Sequence, residues 1–304
     1  MSGAILTNVV SVDGTPTPFA QGGIPNPPGL RLSLATGTPV TPTDVIAAGT
    51  LYYTPYQSGT LWLYIDSVWT EVNTPEVSLA LAGLVSGANY DVFASSTGGA
   101  VTLSLVEWAS NTARATALAR QNGMLVESGT PANLYLGTIR TTGTDTTEDS
   151  DLNRFVWNQY NQVPRPLIVQ DTTASWSYSA TGFREARGVA SNQFNYVTGD
   201  AATYLTADVL CGVNNPTGFG IVVGIGINST SVNSATTSGG TTGSSTILPS
   251  PAHYKGYPGL GFNTIAWLES GHNGGTPTFY GSGQDYGDGI PAQGTSGMIG
   301  QIAA

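Results

Sequence analysis

The sequence predicts an all-β protein, and three observations carry that prediction. Apolar residues alternate with polar ones in short runs, Gly, Pro, Asn and Asp punctuate the runs, and helical spacing is nowhere sustained. The runs draw on Val, Leu, Ile, Tyr and Trp, whose branched or broad side chains suit a pleated surface. Charge is scarce, at 9% of the 304 residues, against about 25% in an ordinary soluble domain. With 40% hydrophobic residues the chain can offset its conformational entropy by burial, which excludes a disordered polar chain.

Residues 1–29 form a segment of their own. A short β-like piece at 4–10 leads into a run of Pro and Gly over 22–29. Prolines fix φ and remove donors, so this segment reads as an extended arm without a core. Its apolar side chains, Ile5, Leu6, Val9, Val10, Phe19 and Ile24, are too many for an inert linker. They suit an arm that adds a strand to a neighbour's sheet edge and thereby attaches the chain.

From Leu30 the texture becomes alternating. Leu30, Leu32 and Leu34 point one way and Arg31 and Ser33 the other. Strands are expected at 51–53, 61–65, 67–72, 77–81, 90–94 and 101–106. Residues 111–121 carry helix formers in a Thr-rich context and read as helix or irregular loop. Residues 149–160 begin with acids suited to a helix start and space Leu152, Phe155 and Val156 at helical intervals, so a short helix is expected there. The prolines of Val163-Pro164-Arg165-Pro166 favour an extended connection that closes this region. A second β region follows, with strands expected at 174–178, 193–197, 201–209, 218–227, 264–269 and 276–280. Residues 228–246 are low in complexity and read as a loop, and the apolar 298–302 segment reads as buried. The expected architecture is two β-sandwich or jelly-roll-like domains, 30–166 and 167–304, after the arm 1–29, with one or two short helices.

The chemistry is mostly negative. The net charge is −10, and nine Lys and Arg are scattered singly, so no basic patch exists for nucleic acid. No apolar run has membrane-spanning length, so membrane insertion is not expected, and the first residues lack the basic start of a signal peptide. Cys211 is the single cysteine and reads as a buried thiol. Asp145, Glu148, Asp149 and Asp151 could serve calcium or glycoside hydrolysis, but acids at a helix start are the weightier reading. Asp285-Tyr286-Gly287-Asp288-Gly289 lacks EF-hand spacing and reads as a turn. His253 and His272 have no metal-ligand spacing, and neither a nucleophile elbow nor a dinucleotide loop occurs. No catalytic residue, metal or cofactor is therefore assigned. Aromatic residues crowd 52–69 and 267–286. They could stack on sugars, but packing weighs more, because alternation turns half of them inward.

The run GTIRTTGTDTTEDSDLNRFVWNQYNQVPRP at 137–166 resembles one found in structural and tail-fibre-like proteins of tailed bacteriophages. RLSLATGTPV at 31–40, LYYTPY at 51–56 and YDVFA at 90–94 extend the resemblance, and HYKGYPGLGFNTIAWLE at 253–269 echoes it more loosely. It implies a non-enzymatic virion subunit, fibre- or spike-like, assembled in the host cytoplasm. It further implies a homotrimer whose other partners are capsid or tail proteins. Two rival readings stand beside it: a module binding host glycan at a fibre tip, and a glycan-degrading tailspike.

Overall fold

The computed structural model describes residues 25–239, 247–283 and 296–304. The arm residues Ile5, Leu6, Val9, Val10, Phe19 and Ile24, and the turn at 285–289, lie outside the described residues. The described chain is all-β, arranged in several sheets.

Leucines of the first alternating run seed one core. The Leu30–Ser33 strand pairs with Thr50–Pro55, which pairs in turn with Val77–Ala80. Thr60–Ile65 and Val68–Asn73 form a hairpin whose two turn residues, Asp66 and Ser67, take φ of 48° and 65°, as a tight hairpin turn requires. Leu30, Leu32, Leu51, Leu61 and Leu63 pack there against Val92, Leu134 and Ile139. Thr130–Gly143 organises this half. It pairs with Met124–Glu127, Asn89–Thr97, Thr146–Asp149 and Val156–Asn158.

A second core gathers Phe194, Tyr196, Val209, Val223, Ile225, Ile265 and Trp267. Phe93, Tyr135 and Trp157 from the first half belong to it too. Hydrogen bonding likewise crosses residue 166, because Asn153–Arg154 runs parallel to Gln193–Thr198. Gln193–Thr198 pairs with Gly261–Ser270, whose far side carries Val222–Ile227. In the other large sheet Gly297–Ala303 lies between Pro164–Gln170 and Leu205–Asn214, which pairs onward with Leu248–Gly256. Met298 and Ile302 are buried as expected. Both edges of their strand are occupied within the chain.

The expected helices require correction. Residues 149–160 hold the strands Asn153–Arg154 and Val156–Asn158, and the only helical turn among the described residues is the 3-10 turn Ala186–Gly188. Phe155, Val156, Trp157 and Asn158 are buried in succession. A helix on a core would turn some of these to solvent, whereas an extended chain between two layers buries both faces. In the 111–121 segment only Leu118–Gln121 is regular, as a strand. The short strand Thr236–Thr237 interrupts the loop expected over 228–246.

Candidate functional site

The motif at 137–166 places its charges in a buried network. Asp149 accepts from Arg154 at 3.1 Å, from Arg165 at 2.8 Å and from the Thr41 hydroxyl at 3.2 Å. Arg154 also donates to the Pro166 carbonyl and to Asp151, while Arg165 donates to the Thr41 carbonyl. Nearby, Arg31 donates to the carbonyls of Pro39, Asn161 and Ala304. Asp149 does not cap a helix; of its acidic neighbours Asp151 shares Arg154 with it, and the other two turn elsewhere. Glu148 accepts from Ser150 and Asn153, and Asp145 accepts from the Leu84 amide. A cleft of about 660 Å³ opens beside this network, between Thr43, Asp44, Asp151 and Pro166.

Two further buried carboxylates have arginine partners. Asp91 holds Arg114 at 2.6 Å and the Thr138 hydroxyl at 2.8 Å, and burial pushes its carboxyl up against those bonds. Glu269 has no accessible surface. Burial also raises its pKa, although Trp176 and Arg184 bond the carboxylate and oppose the rise. A raised glutamate is what a general acid of glycoside hydrolysis needs. This one has an oxygen on each partner and no surface for a substrate.

Asp171 behaves oppositely. Burial alone would raise its pKa, but bonds from Asn192, Thr173 and Arg187 outweigh it and hold the value at about 2. The folded value lies below the unfolded one near 4, so the stabilisation is present above about pH 4 and disappears as pH falls through about 2. Asp171→Asn is expected to cost about 2 kcal/mol at neutral pH. Urea titrations should show that penalty shrinking as pH is lowered from about 5 toward 2.

A second cleft, about 540 Å³, lies between the end of Val222–Ile227 and the sheet formed by Gln193–Thr198 and Gly261–Ser270. Its wall is residues 228–231, and its floor includes Gln193, Phe262 and Thr264. The wall is pinned. Asn228, at φ 52°, accepts from the Thr264 amide at 2.9 Å through its side chain and donates to Asn263. Ser229 accepts from the amides of Ser231 and Val232. Gly226 is required beneath it, since a Cβ there would lie 1.9 Å from the Ser229 carbonyl oxygen. Sequence reading passed over this wall as low-complexity loop. The signal that could have found it is Asn228 directly after an apolar strand containing Gly224 and Gly226.

The outward face of the other large sheet mixes a few charged groups with exposed apolar ones. Across it Asp208 stands opposite Ile299 on one side and His253 on the other, and Thr206 stands opposite Lys255. Leu210 and Ile299 are 47% and 57% exposed. Tyr204 and Tyr257, at one end of these strands, meet edge to face at 5.2 Å and are also exposed.

Most aromatic residues pack rather than present themselves. Tyr53, Trp157, Trp267 and Phe279 are fully buried, and Trp176 stacks on Phe279. His253 pairs with Asp208 at 2.6 Å, and His272 stacks on Phe219. Cys211 is buried, which pushes its thiol up to about 12. Among the described residues no three His, Cys, Asp or Glu side chains gather as metal ligands.

Fold and site together define an all-β protein with arginine-locked acids, an uncharged polar cleft and a sheet face with exposed apolar residues. No protein-family model matches the sequence, and a comparison with curated proteins finds no match. Among solved structures, a β-porphyranase of glycoside hydrolase family 86 from the human gut bacterium Bacteroides plebeius aligns over 87% of this chain. The identity is 11% and the TM-score 0.25, and the chain spans 37% of the porphyranase's length. The structure of the Gx strain of infectious bursal disease virus aligns over 94% of this chain and 79% of its own, at 12% identity and a TM-score of 0.27. Scores this low carry no argument about fold or function.

Proposed function

We propose that this chain is a non-enzymatic structural subunit of a tailed-phage virion, fibre- or spike-like, attached to tail or capsid through residues 1–29. The observation that carries the reading is the use made of the motif at 137–166. Its charged residues Arg140, Asp149 and Arg165 bond to Asn89 and Thr41 outside the motif, while Arg154 bonds to Asp149, Asp151 and Pro166 within it. A motif used this way specifies a fold, and the resemblance it supports is to virion structural proteins. The glycan-degrading alternative has less support, since Asp91, Asp149, Asp171 and Glu269 are each held by an arginine and Glu148 by Ser150 and Asn153.

The subunit works as a homotrimer in this proposal. The strand Gly297–Ala303 lends no support, because its partners lie within the chain. The sheet face around Leu210 and Ile299 gives it support, since two apolar side chains stand exposed there and the carboxylate between them, Asp208, is paired with His253. Light scattering should return three times the 31.3 kDa chain mass, and Ile299→Asp should shift it toward one chain. A monomeric wild type would overturn the assignment. Deleting residues 2–24 should leave folding and oligomer mass intact and abolish incorporation into particles. Normal incorporation would move the attachment point into the β regions.

A further inference from the structure

We propose that the cleft walled by residues 228–231 binds a neutral sugar unit of a larger glycan. The residues lining it, Gln193, Asn228, Ser229, Thr230, Ser231, Phe262 and Thr264, carry no charge. A phosphate, sulfate or uronic acid would find no cation there, on a chain whose net charge of −10 already repels anions. An ammonium group would find no carboxylate. The cleft offers hydrogen-bonding groups instead. Among the described residues nothing bonds the side-chain hydroxyls of Thr230, Ser231 and Thr264. Gln193 donates its amide to Glu185, which leaves its carbonyl oxygen as an acceptor.

One lining residue is aromatic. Phe262 has the Arg140 guanidinium 3.8 Å from its ring centroid and Phe155 at its edge, so the ring is braced from within the protein. Several hydroxyls, an amide carbonyl and one ring match a pyranose, which presents hydroxyls at its rim and C–H groups on its face. The volume of about 540 Å³ suits one or two such units. The wall is already pinned by the Asn228 and Ser229 bonds, so little ordering is lost on binding. No carboxyl lines the cleft, and Glu185, beside the lining Gln193, is engaged by the Gln193 amide. The site would retain glycan rather than cleave it.

The test uses the full chain. An array of neutral and acidic oligosaccharides is screened, and binding is then titrated by NMR with methyl glycosides of glucose, galactose, mannose and N-acetylglucosamine. Glucuronic acid serves as the charged control. A neutral glycoside is expected to bind saturably and glucuronic acid not to bind. Ser231→Trp, which fills the cleft from an exposed position, is expected to weaken binding at least ~10-fold, about 1.4 kcal/mol. Thr264→Val should weaken it as well, and Tyr257→Ala, outside the cleft, should leave it unchanged. A circular dichroism melt of Ser231→Trp checks folding, and the two other variants keep the test open if that one fails to fold. The proposal is overturned if no neutral glycan on the array binds, if glucuronic acid binds equally well, or if binding survives both cleft variants. Oligomer mass and particle incorporation are separate readouts, so a failure here leaves the structural reading standing.

Discussion

Asp149→Ala is expected to lower folding stability by about 3–5 kcal/mol, the cost of leaving buried charge uncompensated. The carboxylate sits between two guanidiniums whose side chains are only 4% and 8% exposed. Without it Arg165 keeps only its bonds to Thr41, and Arg154 leans on Asp151 and the Pro166 carbonyl. The two cations would then face each other across the gap, a repulsion that Asp149 now offsets. Asp149→Asn should cost less, because an amide oxygen can still accept from Thr41. The denaturant midpoint measures both. A loss below about 1 kcal/mol for the alanine variant would show the network to behave like a solvent-screened surface pair.

Trp157→Ala should have a loss of the same size, about 3–5 kcal/mol, for a different reason. Trp157 is fully buried and packs so closely that a Cβ at Gly199 would lie 2.7 Å from its ring. It belongs to the core built mainly by residues after 166, while its backbone pairs with Thr130–Gly143 in the first half. The cavity should therefore destabilise both halves together. Calorimetry is expected to show one transition in the wild type and one lowered transition in the variant. Two separate transitions, with only one shifted, would show that the halves fold independently.

Strands with one wet face were legible in the sequence. Residues 51–53 and 61–65 lie in observed strands, because alternation records a sheet with a solvent side, and 90–94 lies in one although it is buried on both faces. Thr130–Gly143 was not legible. Its middle is buried on both faces from Leu134 to Thr141, so it lacks alternation, and Pro131 and Gly137 interrupt its β texture. Leu248–Gly256 was hidden by Pro249 and Pro251, which sit on the ladder beside Leu205–Asn214. The helix expected at 149–160 arose from the spacing of Leu152, Phe155 and Val156, but Leu152 is exposed while Phe155, Val156 and Trp157 are buried in succession along an extended chain. Acids near Asp149 could be seen as a cluster. The arginine partners of Asp149, one of them Arg165 in the other large sheet, could not be paired without coordinates.

The placement of Gly297–Ala303 between Pro164–Gln170 and Leu205–Asn214 has a kinetic meaning. Each ladder joins segments separated by most of one half of the chain, and the Arg31 bond to the Ala304 carbonyl spans 273 positions. Such contacts close only after a large loop has lost its freedom, and few local contacts reward the chain earlier. Refolding from denaturant should accordingly be slow, on the timescale of milliseconds to seconds or longer typical of non-local β topologies. During that interval the unpaired edges of Pro164–Gln170 and Leu205–Asn214 are open to the wrong strand. Yield on refolding should therefore fall as chain concentration rises, through mispairing between molecules before the central strand arrives.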